Sequence, residues 1–379
     1  MSKQQATDEL EQLSEEQRNV LYKLRTSRII LPIVLGLSVV GYLLWRQLKA
    51  SPDSFDKINW TFTTFAWIFT AFFLLILRHL AFSIRMHILS QGHFSLRKCI
   101  ELIFIFEFSL CVTPTTLGGS AVSLFVMTQE KLSAARTATI VIYKVVLDTI
   151  FFVGTLPILY LLSGSQMIRP GMAHFWDLDW RARIFYFSYV AMAAYGTFFF
   201  YGLFINPLLI KKVLTGFASI PFLKRWREGA ERLGSEIVLA SQDMRNLDWK
   251  QHVLAFISTL TAWTCKFFLI SCLIYGIGGA PLGFIRELLL YSRLETMFVI
   301  MAFSPSPGGA GFAEATFYPF LMDFIPDKGV AIVIAFIWRL MAYYAYLAAG
   351  AIIVPNWIRK VFLKNFQDNK KVSSSLPPQ

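Results

Sequence analysis

Along this 379-residue chain the polar positions gather in short clusters between long apolar runs. A membrane-spanning helix needs roughly 20 predominantly apolar residues. Runs of that kind predict spans at 29–46, 60–84, 136–162, 184–210, 252–275 and 330–354. Two further apolar stretches, 99–130 and 284–325, are each interrupted by a Pro/Gly motif, "VTPTTLGGSAVS" at 112–123 and "FSPSPGGAGFAE" at 303–314. Ahead of the first span, Leu10, Leu13, Val20, Leu21 and Leu24 fall on one helical face. Residues 1–28 are therefore expected to form a cytoplasmic amphipathic segment, packed on the protein or lying at the membrane surface. No cleavable signal is expected, because acids precede the first apolar run and no A-x-A site follows it. A second amphipathic segment, 211–251, separates the fourth and fifth spans. The 356–379 tail ends in "FQDNKKVSSSLPPQ", a composition expected to be disordered.

Lys and Arg in the short loops orient the spans. Residues 211–251 hold Lys211, Lys212, Lys224, Arg225, Arg227, Arg232, Arg245 and Lys250, and the tail holds Arg359, Lys360, Lys364, Lys370 and Lys371. Both are placed in the cytoplasm. So are Arg85, Arg97 and Lys98, the N-terminal Lys23, Arg25 and Arg28, and the 130–136 loop with Lys131 and Arg136.

Counting crossings between these loops has a consequence for the two interrupted stretches. Residues 99–130 must enter and leave by the cytoplasmic face, and 284–325 by the outer face. The expected fold is therefore an all-α polytopic membrane protein of six spanning helices plus two re-entrant helical hairpins in inverted-topology repeats. The first repeat covers 29–162, an extracytoplasmic loop covers 163–183, and the second repeat covers 184–355. Pro114 corresponds to Pro305, and Gly118-Gly119 to Gly308-Gly309. Non-helical backbone at membrane depth persists only where it is buried in protein or lines a polar cavity, and paired broken segments from opposite faces point to a transporter's central site. Pro114, Pro305 and Pro307 are the structural turn residues expected to end the incoming half-helices. Half-helices starting at about Ser120 and Phe312 would present N–H groups to an anion. The alternative is a pair of kinked spanning helices.

Composition agrees with a membrane protein: 55% hydrophobic and 16% charged residues lie outside the range of a soluble chain of this length. The net charge of +12 is matched to anionic lipid headgroups and topology, with no soluble basic domain to hold nucleic acid. Cys99, Cys111, Cys265 and Cys272 show no CxxC spacing, and the five histidines show no HxxxH or HExxH, so no metal site is assigned. With no P-loop, G-x-S-x-G or zinc cluster, no catalytic residue or cofactor is assigned either.

Charges inside apolar runs need a partner or a wet cavity. Lys144 and Asp148 stand four apart on one helix face and can pair with each other. Arg339 has no acid at helical spacing, so its partner must come from another segment, Glu314 or Glu295. A guanidinium suits phosphate. Glu314, in the first turn after the second motif, is positioned to cap the helix or to take up a proton. Glu107 and Lys266 are further cavity residues, whereas Arg78 and Arg85 are expected to snorkel toward cytoplasmic headgroups.

"TPTTLGGSAVSLFVM", a span carrying "YKVVLD", then "SPSPGGAGFAE" followed by "IWRL" together resemble the flippase-like family defined by the transmembrane region of lysylphosphatidylglycerol synthase. The resemblance covers nearly all of 29–355 and implies a multi-spanning inner-membrane protein moving lipids or lipid-linked headgroups between leaflets. Pro307, Gly308, Gly309, Gly311 and Glu314 match the family's late P-x-P-G-G-x-G-x-x-E motif, and Lys144 and Arg339 sit where the family tends to place a basic residue. Ser120 and Ser123 stand where the family often has an acid and an arginine, so selectivity for an aminoacylated headgroup is not carried over. Without a soluble aminoacyl-transferring domain, the chain is not expected to make lysyl-lipid.

The expected function is that of a flippase or scramblase for a phospholipid or polyprenyl-phosphate-linked lipid, not an enzyme, with both termini cytoplasmic. Its expected substrate site comprises Lys144, Arg339, Glu314, Asp148, Ser120, Gly118, Gly119, Gly308, Gly309 and Gly311, and its partners are lipids with anionic or phosphate-bearing headgroups. A small-solute or ion-coupled transporter, a membrane-embedded headgroup transferase, a scaffold and a homo-oligomer all remain open readings.

Overall fold

The computed structural model describes residues 45, 49, 58–113, 115–177, 179–219, 227–279, 281–304, 306, 308–309, 311–325 and 327–374, without side-chain detail at 115–121, 217–218, 227 and 362–374. The expected amphipathic segment at 1–28, the expected 29–46 span apart from Trp45, and Pro114, Pro305 and Pro307 lie outside the described residues. Two compact units divide the chain, one of residues 1–51 with 347–379 and one of residues 52–346. The second carries almost all that follows.

Every regular element among the described residues is helical. Helix α1 (Phe62–Leu89) is capped by Thr61 and α2 (Leu96–Val112) by Ser95. Helix α3 is Thr115–Gln129, α4 is Ala134–Ser163 and α5 is Trp180–Phe200, which runs on as a π-helical turn, Tyr201–Ile205. Helices α6 (Pro207–Ala218) and α7 (Arg227–Arg245) precede α8 (Trp249–Gly278). Then come α9 (Phe284–Met301), α10 (Phe312–Leu321) and α11 (Lys328–Arg339), followed by a π-helical turn at Leu340–Tyr344 and by α12 (Ala345–Ser374).

Five helical runs among the described residues are long and apolar enough to cross a membrane: Phe62–Leu89, Ala134–Ser163, Trp180–Ile205, Trp249–Gly278 and Lys328–Val361. They correspond to the second through sixth expected spans, with somewhat different ends. Helix α1 shows how the sequence sorts its faces. Phe62, Phe65, Phe69, Phe72, Phe73 and Ile76 are exposed, while Ala71, Leu75, Phe82, Met86 and Leu89 are buried together with Arg78, His79 and Arg85. The outward face is therefore mainly apolar, and the charged side chains point inward among the buried ones, as a lipid solvent requires.

The two interrupted stretches form helix pairs, α2 with α3 and α9 with α10. With 17, 15 and 10 residues, α2, α3 and α10 are about 25, 22 and 15 Å long at 1.5 Å per residue. Each falls short of the ~30 Å hydrocarbon core. The α3 helix begins at Thr115, so Gly118, Gly119 and Ser120 lie inside its first turns and not, as expected for Ser120, at its start. Two glycines do not interrupt a helix whose neighbours hold it. In the second pair α10 starts at Phe312, the expected position, preceded by Gly311 at φ +78°.

Helices α1 and α8 pack along most of their length. Gly276 makes this approach close, since a β-carbon there would lie 2.8 Å from Trp67 Cβ and 3.1 Å from the Thr64 carbonyl. The 211–251 segment folds as α6 and α7, whose Ile210, Ile237 and Ala240 bury against Ala135 near the start of α4.

Candidate functional site

A cavity of about 320 Å³ lies among α1, α2, α3, α4, α8, α9, α11 and the 302–309 tip that follows α9. Arg78 and Arg85, Glu107, Ser123, Lys144 and Asp148, Trp263 and Lys266, and Arg339 line it, together with Ser304, Ser306, Gly308 and Gly309. Each of the charged residues stands within a helix made mostly of apolar residues, so the cavity gathers charge that lipid would reject.

Arg78 and Arg85 are seven residues apart and share a face of α1. Both are buried, at 6% and 3% exposure, so neither reaches headgroups as expected. Instead Arg78 Nη2 donates to Glu107 Oε1 of α2 at 2.7 Å, and its Nη1 to the Tyr346 hydroxyl at 3.1 Å. Arg85 Nη1 donates to Asp148 Oδ1 of α4 at 2.5 Å and to Thr259 Oγ1 of α8 at 3.0 Å. Trp263 Nε1 also donates to Asp148 Oδ1, at 3.1 Å.

This overturns the expected Lys144–Asp148 pair. Asp148 is held by an arginine and an indole from two other helices, and Lys144 makes no ion pair among the described residues. Lys266 has none either. Its ammonium lies over the rings of Trp263 and Phe298, 4.6 and 4.3 Å from their centroids, a geometry that holds a cation without neutralising it.

The second motif is organised by Arg339. Its Nε lies 2.8 Å from Glu314 Oε1, which selects Glu314 from the two candidate partners. Its Nη1 donates to the Gly308 carbonyl at 3.1 Å, and Glu314 Oε2 accepts from the Gly311 N–H at 2.7 Å. Arginine, glycine carbonyl, carboxylate and helix start thus form one linked set that fixes the tip. Arg339 Nη2 is buried without a hydrogen-bond partner. A buried donor left unpaired is costly, and a ligand acceptor in the cavity would satisfy it. Gly308 sits at φ +56° beneath Tyr343, whose hydroxyl donates to the Cys111 carbonyl at 3.0 Å. The adjoining Leu340–Tyr344 turn is π-helical, a distortion that often marks functional sites.

Of the expected site residues, the structure brings Lys144, Asp148, Arg339, Gly308 and Gly309 onto the cavity wall, with Glu314 and Gly311 tied to Arg339. Gly118, Gly119 and Ser120 are placed only as backbone of α3. Glu295 lies elsewhere, between α4 and α9, in contact with the Thr155 hydroxyl. Sequence reasoning missed Arg78, Arg85 and Trp263. The signal available was the seven-residue arginine spacing, which repeats one face over two turns.

The sequence profile of the lysylphosphatidylglycerol synthase TM region matches residues 29–350 of this chain. A UPF0104 membrane protein of the archaeon Archaeoglobus fulgidus is 22% identical over 338 residues, spanning 85% of this chain and 93% of its own length. No solved structure matches the chain. A match across that much of the sequence, on a helical membrane protein with charge collected inside, settles the family: the chain belongs to the lysylphosphatidylglycerol synthase transmembrane-region family.

Proposed function

We propose that this protein translocates a phosphate-bearing lipid between leaflets, as a flippase or scramblase. The observation that carries the reading is the cavity's charge. Five cations line it against two carboxylates, Glu107 and Asp148, with Glu314 held behind Arg339. An anionic headgroup would rest there while its acyl chains remain in the bilayer. Arg339 Nη2 and the two lysines would supply donors to phosphate oxygens. The arginine–carboxylate pairs would keep the wall charged yet ordered.

In this reading α2–α3 and α9–α10 are re-entrant hairpins from opposite faces, in inverted repeats. Their shortness against the hydrocarbon core supports this, as do the loop charges. The same loop charges support cytoplasmic termini, and the family resemblance supports residence in the inner membrane.

The test is reconstitution into liposomes carrying a nitrobenzoxadiazole-labelled phospholipid, with dithionite reporting the outer-leaflet share. Expected is a rise in the rate of leaflet exchange that scales with protein per vesicle. Exchange no faster than in protein-free vesicles would remove the proposal.

A further inference from the structure

Three arginines in the site each meet a carboxylate at 2.5–2.8 Å, as Arg78–Glu107, Arg85–Asp148 and Arg339–Glu314. These pairs cancel in charge. Lys144 and Lys266 do not have such partners among the described residues, yet line the same cavity. With both lysines protonated, five cations and three carboxylates leave two positive charges in excess, both on lysines, and a guest anion is what would hold those two protons in place.

That excess bears on which headgroup fits. In a site of low polarity each uncompensated charge costs several kcal/mol, so the tightest guest restores neutrality. A zwitterionic headgroup leaves both lysines uncompensated, and a phosphodiester with one negative charge leaves one. An aminoacylated, net-positive headgroup would add to the imbalance. A phosphomonoester or a diphosphate ester brings two negative charges. We infer that the site selects lipids whose phosphate group carries two negative charges, with Lys144 and Lys266 as the residues that set this preference. The inference rests on the reading of the protein as a lipid translocase and narrows it to a substrate class.

Geometry supplies the remaining contacts. The Lys266 ammonium is placed over two aromatic rings, which engage at most two of its three hydrogens and leave one for a phosphate oxygen. Arg339 Nη2 adds an unpartnered donor on the same wall. Wall hydroxyls from Ser304 and Ser306, 2.9 Å apart, complete a polar tip.

The experiment uses the full chain in a neutral detergent with labelled phosphatidic acid bound, displaced by unlabelled competitors at pH 8. Dioleoyl phosphatidic acid, phosphatidylglycerol and phosphatidylcholine share acyl chains and differ in headgroup charge. Phosphatidic acid is expected to compete about tenfold better than phosphatidylglycerol, a difference of one partly compensated charge, with phosphatidylcholine weakest. In the K144Q/K266Q double variant the first two are expected to fall within about twofold of each other. The single variants, which remove one charge each, should give intermediate ratios and serve if the double fails to fold. Equal competition by phosphatidylglycerol, or a preference that survives both substitutions, would overturn the inference. Inorganic phosphate and pyrophosphate form a separate arm, and displacement at concentrations matching phosphatidic acid would make the guest a free solute and overturn the lipid assignment. Leaflet exchange is read independently. Headgroup preference without exchange would sink the translocase reading alone, and exchange without preference would sink this inference alone.

Discussion

The ring of Tyr343 lies directly over Gly308, so that a β-carbon at residue 308 would fall 2.2 Å from Tyr343 Cε2 and 3.3 Å from the Cys111 α-carbon. The backbone there is also left-handed, at φ +56°. One position therefore carries two requirements that only glycine meets. Gly308→Ala is expected to lower the thermal midpoint of the detergent-solubilised protein, with a loss of about 1–3 kcal/mol from overpacking and torsional strain. Tyr343→Ala in the same chain should recover part of it. A melting curve unchanged by Gly308→Ala would refute the close packing.

Arg339 and Glu314 hold the tip through charge, and removing one partner leaves the other uncompensated. Glu314→Ala is expected to destabilise by about 3–5 kcal/mol, and Glu314→Gln by less, since an amide oxygen can still accept from Gly311. Arg339→Lys keeps the charge but loses the fork that reaches both Glu314 and the Gly308 carbonyl. It should slow leaflet exchange while leaving the protein monodisperse by size-exclusion chromatography. Exchange at the unaltered rate would show that the fork is not needed.

The α1–α8 contact offers a purely steric prediction. At Gly276 a β-carbon meets the Thr64 carbonyl, which is backbone and cannot rotate away, and the Trp67 β-carbon. Gly276→Leu should push the helices apart and abolish recovery of folded protein, with Gly276→Ala intermediate at about 1–3 kcal/mol. Gly154, which has open space around it, is the control position and should accept alanine without loss.

Glu295 is fully buried, and its Oε2 has no partner. Its Oε1 meets the Thr155 hydroxyl, which is also 2.6 Å from the Phe151 carbonyl. A hydroxyl has one proton to donate, so the second bond is best supplied by the carboxyl itself. The nearby Arg293 is turned to Asp323 and to the Gln166 carbonyl. Glu295→Gln should therefore melt within about 1 kcal/mol of the parent protein, because the amide also donates, while Glu295→Ala should lose about 1–3 kcal/mol. If Gln were as damaging as Ala, an ionised Glu295 would be the better description.

The sequence made the apolar architecture legible because a span advertises itself in a single continuous run, without reference to partners. It also located the start of α10, where Gly311 and Glu314 form a local cap three residues apart. Asp148 was different. Its own helix offers Lys144 one turn away, and nothing local reveals that Arg85 approaches from α1. Hydropathy compounded the difficulty by ending that span at residue 84, which put Arg85 at the interface, whereas α1 continues to Leu89. Local propensity likewise misjudged Gly118-Gly119, because packing of α3 against α2 and α4 outweighs two poor helix formers. Contacts between distant segments are what the one-dimensional pattern leaves out.

The arginine pairs each tie a separate junction, α1 to α2, α1 to α4, and α10 to α11. On the proposed reading an anion in the cavity would never meet a guanidinium stripped of its carboxylate, and on its departure each arginine would keep that partner. On that reading the chamber would keep its shape between visits, and the two lysines with Arg339 Nη2 would be the groups whose pairing changes when a guest enters.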